Sequence, residues 1–348
     1  MTLAARALRI PSTGRGGWIR RALTRPETTA IAGVIVAFAF FAIAAPGSGF
    51  LTWGGTTNYL EVAAIIGIVA TPVTLLLIAG DFDLSVGASV AASGGLVSLL
   101  TVTAGLPFWV ALLCGFVAAA GVGAVNGFLV TTTRIPSFLV TLAVMYVLQG
   151  LTLPAIKAIT GTTSVVGIRE ASAGDPIFAL FRGDWWGLPV AVWWWIVVTL
   201  IAAVVLGATR FGNWIFVSGG NPEAGERMGV PVRRVKIVLY GATACSAVIV
   251  GVLLAASVDQ ADVTAGRGME FQAAVAAVIG GSLITGGYGS PIGTFFGALL
   301  FGMVSQGFFY TELEGSYFLA FLGTMLLIAV GVNQYLRNAS MKSAKRRP

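Results

Sequence analysis

The sequence predicts an all-α membrane protein with about ten transmembrane helices in two five-helix halves. Three observations predict it. Of the 348 residues, 57% are hydrophobic and only 10% charged, where a soluble chain is about 45–50% apolar and about 25% charged. Apolar runs recur along the whole chain, each near the ~20 residues a spanning helix needs. Lys and Arg concentrate in alternate connections, which sets an orientation.

The runs lie at roughly 28–45, 59–79, 86–104, 108–130, 137–156, 189–208, 237–257, 270–285, 291–309 and 316–335. The first follows a basic tail. Ala42-Ile43-Ala44 is a weak cleavage-like match, but the long tail and long apolar run favour a retained helix. The second carries Glu61 near its start, where snorkelling or a loop contact fits better than transport chemistry. The third is rich in Ser, Thr and Gly. The fourth offers Gly123–Gly127 at small-xxx-small spacing, and the ninth offers Gly293–Gly297. The sixth begins among Trp185, Trp186 and Trp193–Trp195, which read as an interfacial belt. The eighth is short and runs into Gly280–Gly281. The third and eighth runs are each full spans, half-helices or re-entrant pieces. Each is also the third run of its half. Short or Gly-broken segments in corresponding halves point to a substrate path.

With ten spans and both termini inside, 17 of the 21 basic residues fall on the inner side. Only Lys157, Arg169, Arg182 and Arg267 fall outside. The chain thus reads as a cytoplasmic tail 1–27, a membrane domain 28–335 and a cytoplasmic tail 336–348. The domain includes a long outer connection, 157–188, and a long inner one, 209–236.

Several chemistries are excluded. There is no His, so His triads and His metal sites are impossible. Cys114 and Cys245 lie in apolar runs and read as buried small hydrophobes rather than metal ligands. No P-loop occurs, so the chain cannot cradle ATP itself. The net charge of +7 sits at tails and loops, not on one face, so nucleic acid is not implied. Thr285-Gly286-Gly287-Tyr288-Gly289 reads as a tight turn rather than an ion filter.

The inner connection holds a punctuated helix. Asn221 suits an N-cap, Pro222 the first helical position, and Glu223 the helix dipole. Gly229 fits the left-handed position at the other end, followed by Pro231. So short a helix needs a partner surface, either its own bundle or a cytoplasmic subunit. Asp81 and Asp83 border an apolar run, where acids are expensive. Asp83 and Ser85 cap the helix beginning near Val86, line a route or gate, or do both.

The chain resembles the permease subunit of bacterial ribose-type ABC sugar importers. The marks are Asp83-Leu84-Ser85-Val86-Gly87, Asn126-Gly127, Arg134-Ile135-Pro136-Ser137-Phe138 and Gly219-Gly220-Asn221-Pro222-Glu223-Ala224. Gly229-Val230, Arg234-Val235-Lys236, Gly280-Gly281-Ser282, Gly286-Gly287-Tyr288-Gly289-Ser290 and Gly293-Thr294 follow in order. The resemblance implies an inner-membrane permease with no chemistry or cofactor of its own. It implies a second permease copy, ATPase subunits that bind ATP, and an external sugar-binding protein. Its coupling helix matches Asn221, Pro222, Glu223, Glu226, Arg227 and Gly229. Asp81, Asp83, Ser85, Gly280, Gly281 and Ser282 are candidates for the path or gate. The acids of the outer connections make Asp175, Asp184, Asp259 and Glu312 candidates for docking the binding protein. The family usually has Gly-Gly-Ile where this chain has Gly80-Asp81-Phe82, which leaves the substrate open. Branched-chain amino acids and nucleosides are neighbouring possibilities. A proton-coupled transporter using Asp81, Asp83 or Glu61, and a channel, are rivals of another class.

Overall fold

The computed structural model describes residues 26–133 and 135–311, with 315–318, 320, 321, 323, 324, 327 and 331. Its long helices are α1 (Pro26–Ala44), α2 (Trp53–Ile78), α3 (Val86–Ser98), α4 (Phe108–Thr133) and α5 (Ser137–Thr160). A connection with strand β1 (Ser164–Val166), helix α6 (Ile168–Ala171) and a hairpin of β2 (Asp184–Trp185) and β3 (Leu188–Pro189) leads to α7 (Val190–Ala208). Then come α8 (Arg210–Gly220), α9 (Pro222–Arg227), α10 (Val232–Val258), β4 (Gln260–Asp262), α11 (Met269–Ile279) and α12 (Pro291–Phe309).

Among the described residues, eight helices are long and apolar enough to cross a membrane. The Ser- and Gly-rich third run is one of them, because α3 continues into a π-helical turn at Leu99–Thr103. The eighth run is not. At 11 residues, α11 spans about 16 Å, roughly half the hydrocarbon core. It stops where Gly281 takes φ +89° and where Gly280 meets Gly293 backbone to backbone. The run 316–335 lies mostly outside the described residues.

The central helix is α2. In its most apolar window 89% of residues are buried, against 11% for α1. Thr52 caps it by accepting from Gly55 N at 3.1 Å. Around it pack α7, α10, α11 and α12. Glycine sets the closest approaches. A Cβ on Gly123 would lie 2.5 Å from Tyr240 O, and one on Gly127 2.6 Å from Ile237 Cα. Both small residues of the α4 motif therefore face α10. On α12, Gly293 and Gly297 sit equally close to Gly280 and Ala276.

Two expectations fail on burial. Trp195 is not a belt residue. It is 1% exposed and stacks on Phe295 at 3.9 Å, because Gly67 on α2 leaves room for the indole. Cys114 is exposed and Cys245 is half-buried. In a bilayer an outward apolar side chain costs nothing, so apolar sequence alone did not distinguish core from lipid face.

Candidate functional site

Between α2 and α3 the chain runs without helix through residues 80–85. Irregular backbone at membrane depth needs every polar group matched by protein or cavity water. Here α5 supplies the acceptors. Phe82 N donates to Ser137 Oγ at 3.2 Å, and Leu84 N donates to Thr141 Oγ1 at 3.0 Å. Gly80 opens the segment with φ +85°.

Asp83 is 1% exposed and anchors the centre of this segment. Its Oδ1 accepts from Ser85 N at 2.8 Å and Ser85 Oγ at 2.6 Å. Thr243 Oγ1 of α10 lies 2.8 Å from its Oδ2, and Asn126 Nδ2 of α4 donates to Ser85 Oγ at 2.8 Å. The arrangement is not the helix cap expected for Asp83 and Ser85. Ser85 precedes α3 but makes no capping bond. Asp83 instead folds its own turn and pins it to two other helices. Asn126 and Thr243 were not singled out as site residues, because nothing in sequence ties them to Asp83.

Each buried donor left without an acceptor costs about 1–3 kcal/mol. Asp83→Ala strips the acceptor from Ser85 N and Oγ, while Thr243 Oγ1 keeps Tyr240 O at 2.8 Å; Asp83→Asn keeps one oxygen for Ser85. We expect Asp83→Ala to lower the thermal midpoint clearly more than Asp83→Asn in detergent. Equal midpoints would refute the bridging role.

Asp81 is directed elsewhere. Its Oδ2 lies 3.0 Å from Lys236 Nζ, in the second turn of α10. It is the one ion pair among the described residues.

Beside it, backbones pack without side chains between them. A Cβ on Gly219 would be 1.8 Å from Ile78 O, and one on Gly286 would be 2.9 Å from Gly80 Cα. Gly287 N donates to Ile78 O at 2.8 Å. The expected turn at 285–289 is present, with Gly286 at φ +83° and Gly287 at φ +76°. It docks on the end of α2. Gly280, Gly281 and Ser282 are part of its approach. No hydrogen bond joins those three to the Asp83 cluster among the described residues. All three are buried, Gly280 against Gly293 of α12 and Ser282 Oγ close to Gly289. The third and eighth runs do meet at their N-terminal ends, just after the Asp83 cluster. A Cβ on Gly87 would lie 2.1 Å from Glu270 Oε2 and 2.6 Å from Gly266 O.

Immediately after Gly219 and Gly220, Asn221 caps α9 by accepting from Ala224 N at 3.0 Å. Pro222 takes the first position and Gly229 sits at φ +84°. Only Gly225 is buried, against Val217. Glu223, Glu226 and Arg227 are exposed, and Met228 is 72% exposed. The preceding helix α8 was missed in sequence. Its signal was Thr209, which accepts from Gly212 N at 3.1 Å.

At the opposite end, β1 pairs antiparallel with β4, Ser164 against Asp262. Asp175 accepts from Trp109 N and Ile177 N, and Asp259 accepts from Arg169 N at 2.8 Å. These two candidates hold the loops of this face together. Asp184 is exposed and lines a cavity of about 410 Å³ with Glu61, Arg169 and Arg182. Glu312 lies outside the described residues.

Comparisons with known proteins agree in kind. Residues 55–330 match the family described as branched-chain amino acid transport system / permease component. The chain is 30% identical over 308 residues to ribose import permease protein RbsC of Escherichia coli (strain K12), covering 88% of this chain and 93% of that one. It is 32% identical over 328 residues to L-arabinose ABC transporter permease protein AraH of Azospirillum brasilense, covering 94% and 92%. It is 28% identical over 299 residues to fructose import permease protein FrcC of Rhizobium meliloti, covering 84% and 81%. No solved structure matches the chain.

Proposed function

The chain belongs to the branched-chain amino acid transport system / permease component family, and from that premise we propose that it is the membrane subunit of an ATP-driven sugar importer. Relatives similar over most of their length are named for ribose, L-arabinose and fructose. The observation that carries the ATP-driven reading is α9, a fully capped helix that buries one residue and exposes Glu223, Glu226 and Arg227, with an apolar Met228 exposed at its end. A six-residue helix does not persist alone in water. Its exposed face fits a partner.

In this reading α9 lies in the cytoplasm and receives motion from an ATPase subunit, which holds the ATP. Asn221, Pro222, Glu223, Glu226, Arg227 and Gly229 form the contact. In this reading α11 and the irregular chain after it complete one crossing and the run 316–335 another, so that ten segments leave both tails on the inner side of a bacterial inner membrane. The 1–27 and 336–348 tails flank a single membrane domain. Two copies enclose the route. Asp81, Asp83 and Ser85 stand at its gate, with Gly280, Gly281 and Ser282 supporting it. An external sugar-binding protein docks on the opposite face, around Asp184 and the cavity beside it, with Asp175 and Asp259 on the same face; Glu312, outside the described residues, is a further candidate for that contact. Most recognition of the sugar then belongs to the binding protein.

Co-reconstitution in proteoliposomes tests the function. The chain is combined with an ABC-type ATPase subunit and an external sugar-binding protein. Uptake of a labelled pentose or hexose should need ATP and the loaded binding protein, and should survive a protonophore. Uptake of leucine in place of sugar would make it an amino-acid permease. Uptake that collapses with the proton gradient while ATP persists would make it a secondary transporter.

A further inference from the structure

We propose that the Asp81–Lys236 ion pair is a latch that opens during each transport cycle and carries the movement of α9 to the gate. The proposal rests on the reading of α9 as the coupling helix.

The argument starts from the path of the chain. From α9 the backbone leads back through Asn221 and Gly220 to Gly219, which packs on Ile78 O and lies against Gly80. In the other direction it leads through Pro231 into α10 and reaches Lys236, which pairs with Asp81 at 3.0 Å. The two ends of this stretch therefore close on neighbouring residues, Gly80 and Asp81. They form a ring with α9 on its outer side. A push on α9 reaches the 80–85 segment from both directions, and that segment holds Asp83.

One closure of the ring is made to stay and the other is made to open. At Gly219 backbones touch, and no side chain can rearrange to release them. At Asp81 the tie is Coulombic, and its attraction halves when the separation doubles. Lys236 is 16% exposed and Asp81 8%. The ammonium is the less buried partner and is the one free to move away. A buried ion pair adds little net stability over apolar residues of similar volume. A pair kept only to fill space would therefore be replaceable by two apolar side chains without loss of function.

Two measurements on the complete assembly, with ATPase and binding protein, test the latch. Asp81→Leu with Lys236→Leu should keep the fold. Sugar moved per ATP should nevertheless fall by about five-fold or more, because the tie no longer opens and closes. Unchanged sugar per ATP would overturn the latch. Where the Leu pair fails to accumulate, a cysteine pair decides. Asp81→Cys with Lys236→Cys, in a Cys114→Ser and Cys245→Ser background, is bridged by a short thiol-reactive linker. Bridging should occur in the nucleotide-free assembly, fail in the vanadate-trapped one, and stop uptake. Equal bridging in both states, or full uptake by bridged protein, would overturn the proposal. Failure of the α9 reading has a separate signature, which is normal uptake by Glu223→Arg.

Discussion

Gly219→Val is expected to abolish uptake, while Gly220→Ala beside it leaves uptake intact. The two glycines are adjacent at the end of α8, yet their surroundings differ completely. A Cβ on Gly219 would stand 1.8 Å from Ile78 O and 2.8 Å from Gly287 N. Both are backbone atoms, already joined to each other by a 2.8 Å hydrogen bond. The clash cannot be relieved by a rotamer change. The end of α2, the 283–289 turn or α8 itself must move. Overpacking typically costs about 1–3 kcal/mol where side chains can yield, and here none is available. The Gly219→Val permease should melt several degrees lower and accumulate poorly, with no uptake above background. A Cβ on Gly220 would have nothing within 4 Å of it. Ala there should be neutral or slightly stabilising, since it lowers the entropy of the unfolded chain. Uptake and thermal midpoint of both variants decide the matter. Wild-type behaviour in Gly219→Val would mean that the three backbones do not pack as described.

Those two neighbours also show where sequence reasoning reaches its limit. Both glycines stand in the run Gly219-Gly220-Asn221-Pro222, and the run predicts the helix that follows. Asn221 capping, Pro222 at the first position and the left-handed Gly229 are all local events, set within about one turn of chain. They were legible for that reason. What Gly219 touches lies 141 residues away in sequence, at Ile78, and no local rule points there. Asp83 teaches the same lesson. The cost of an acid at membrane depth marked the residue. Its partners Thr243 and Asn126 come from two other helices, and only the packing of α3, α4 and α10 brings them within reach. The small-xxx-small spacings are intermediate. Gly123–Gly127 announced a close contact but not its partner, which is α10. The span count depended on a different ambiguity. A Gly-broken apolar run reads alike whether it crosses fully or stops halfway, and α11 stops at 11 residues.

Glu223→Arg and Gly229→Val are expected to uncouple ATP hydrolysis from uptake while leaving the permease folded. The magnitudes separate these effects. Glu223 is exposed and makes no ion pair among the described residues. Reversing its charge at the start of α9 opposes the helix dipole, a loss of about 0.3–1 kcal/mol. Gly229 sits at φ +84° with open space where a Cβ would stand. Valine there meets no neighbour, and its cost is backbone strain of order 1–3 kcal/mol, confined to the turn that ends α9. Neither figure threatens a bundle whose core runs through α2, α10 and α12. Both act on the one element that Gly219 fastens to the α2 end. The ATPase should still hydrolyse ATP in complex with either variant, and sugar uptake should fall by an order of magnitude or more at equal membrane abundance. Hydrolysis should also lose its response to loaded binding protein. If uptake and stimulation both stay normal in the two variants, α9 is a surface helix of the bundle and the motion enters elsewhere.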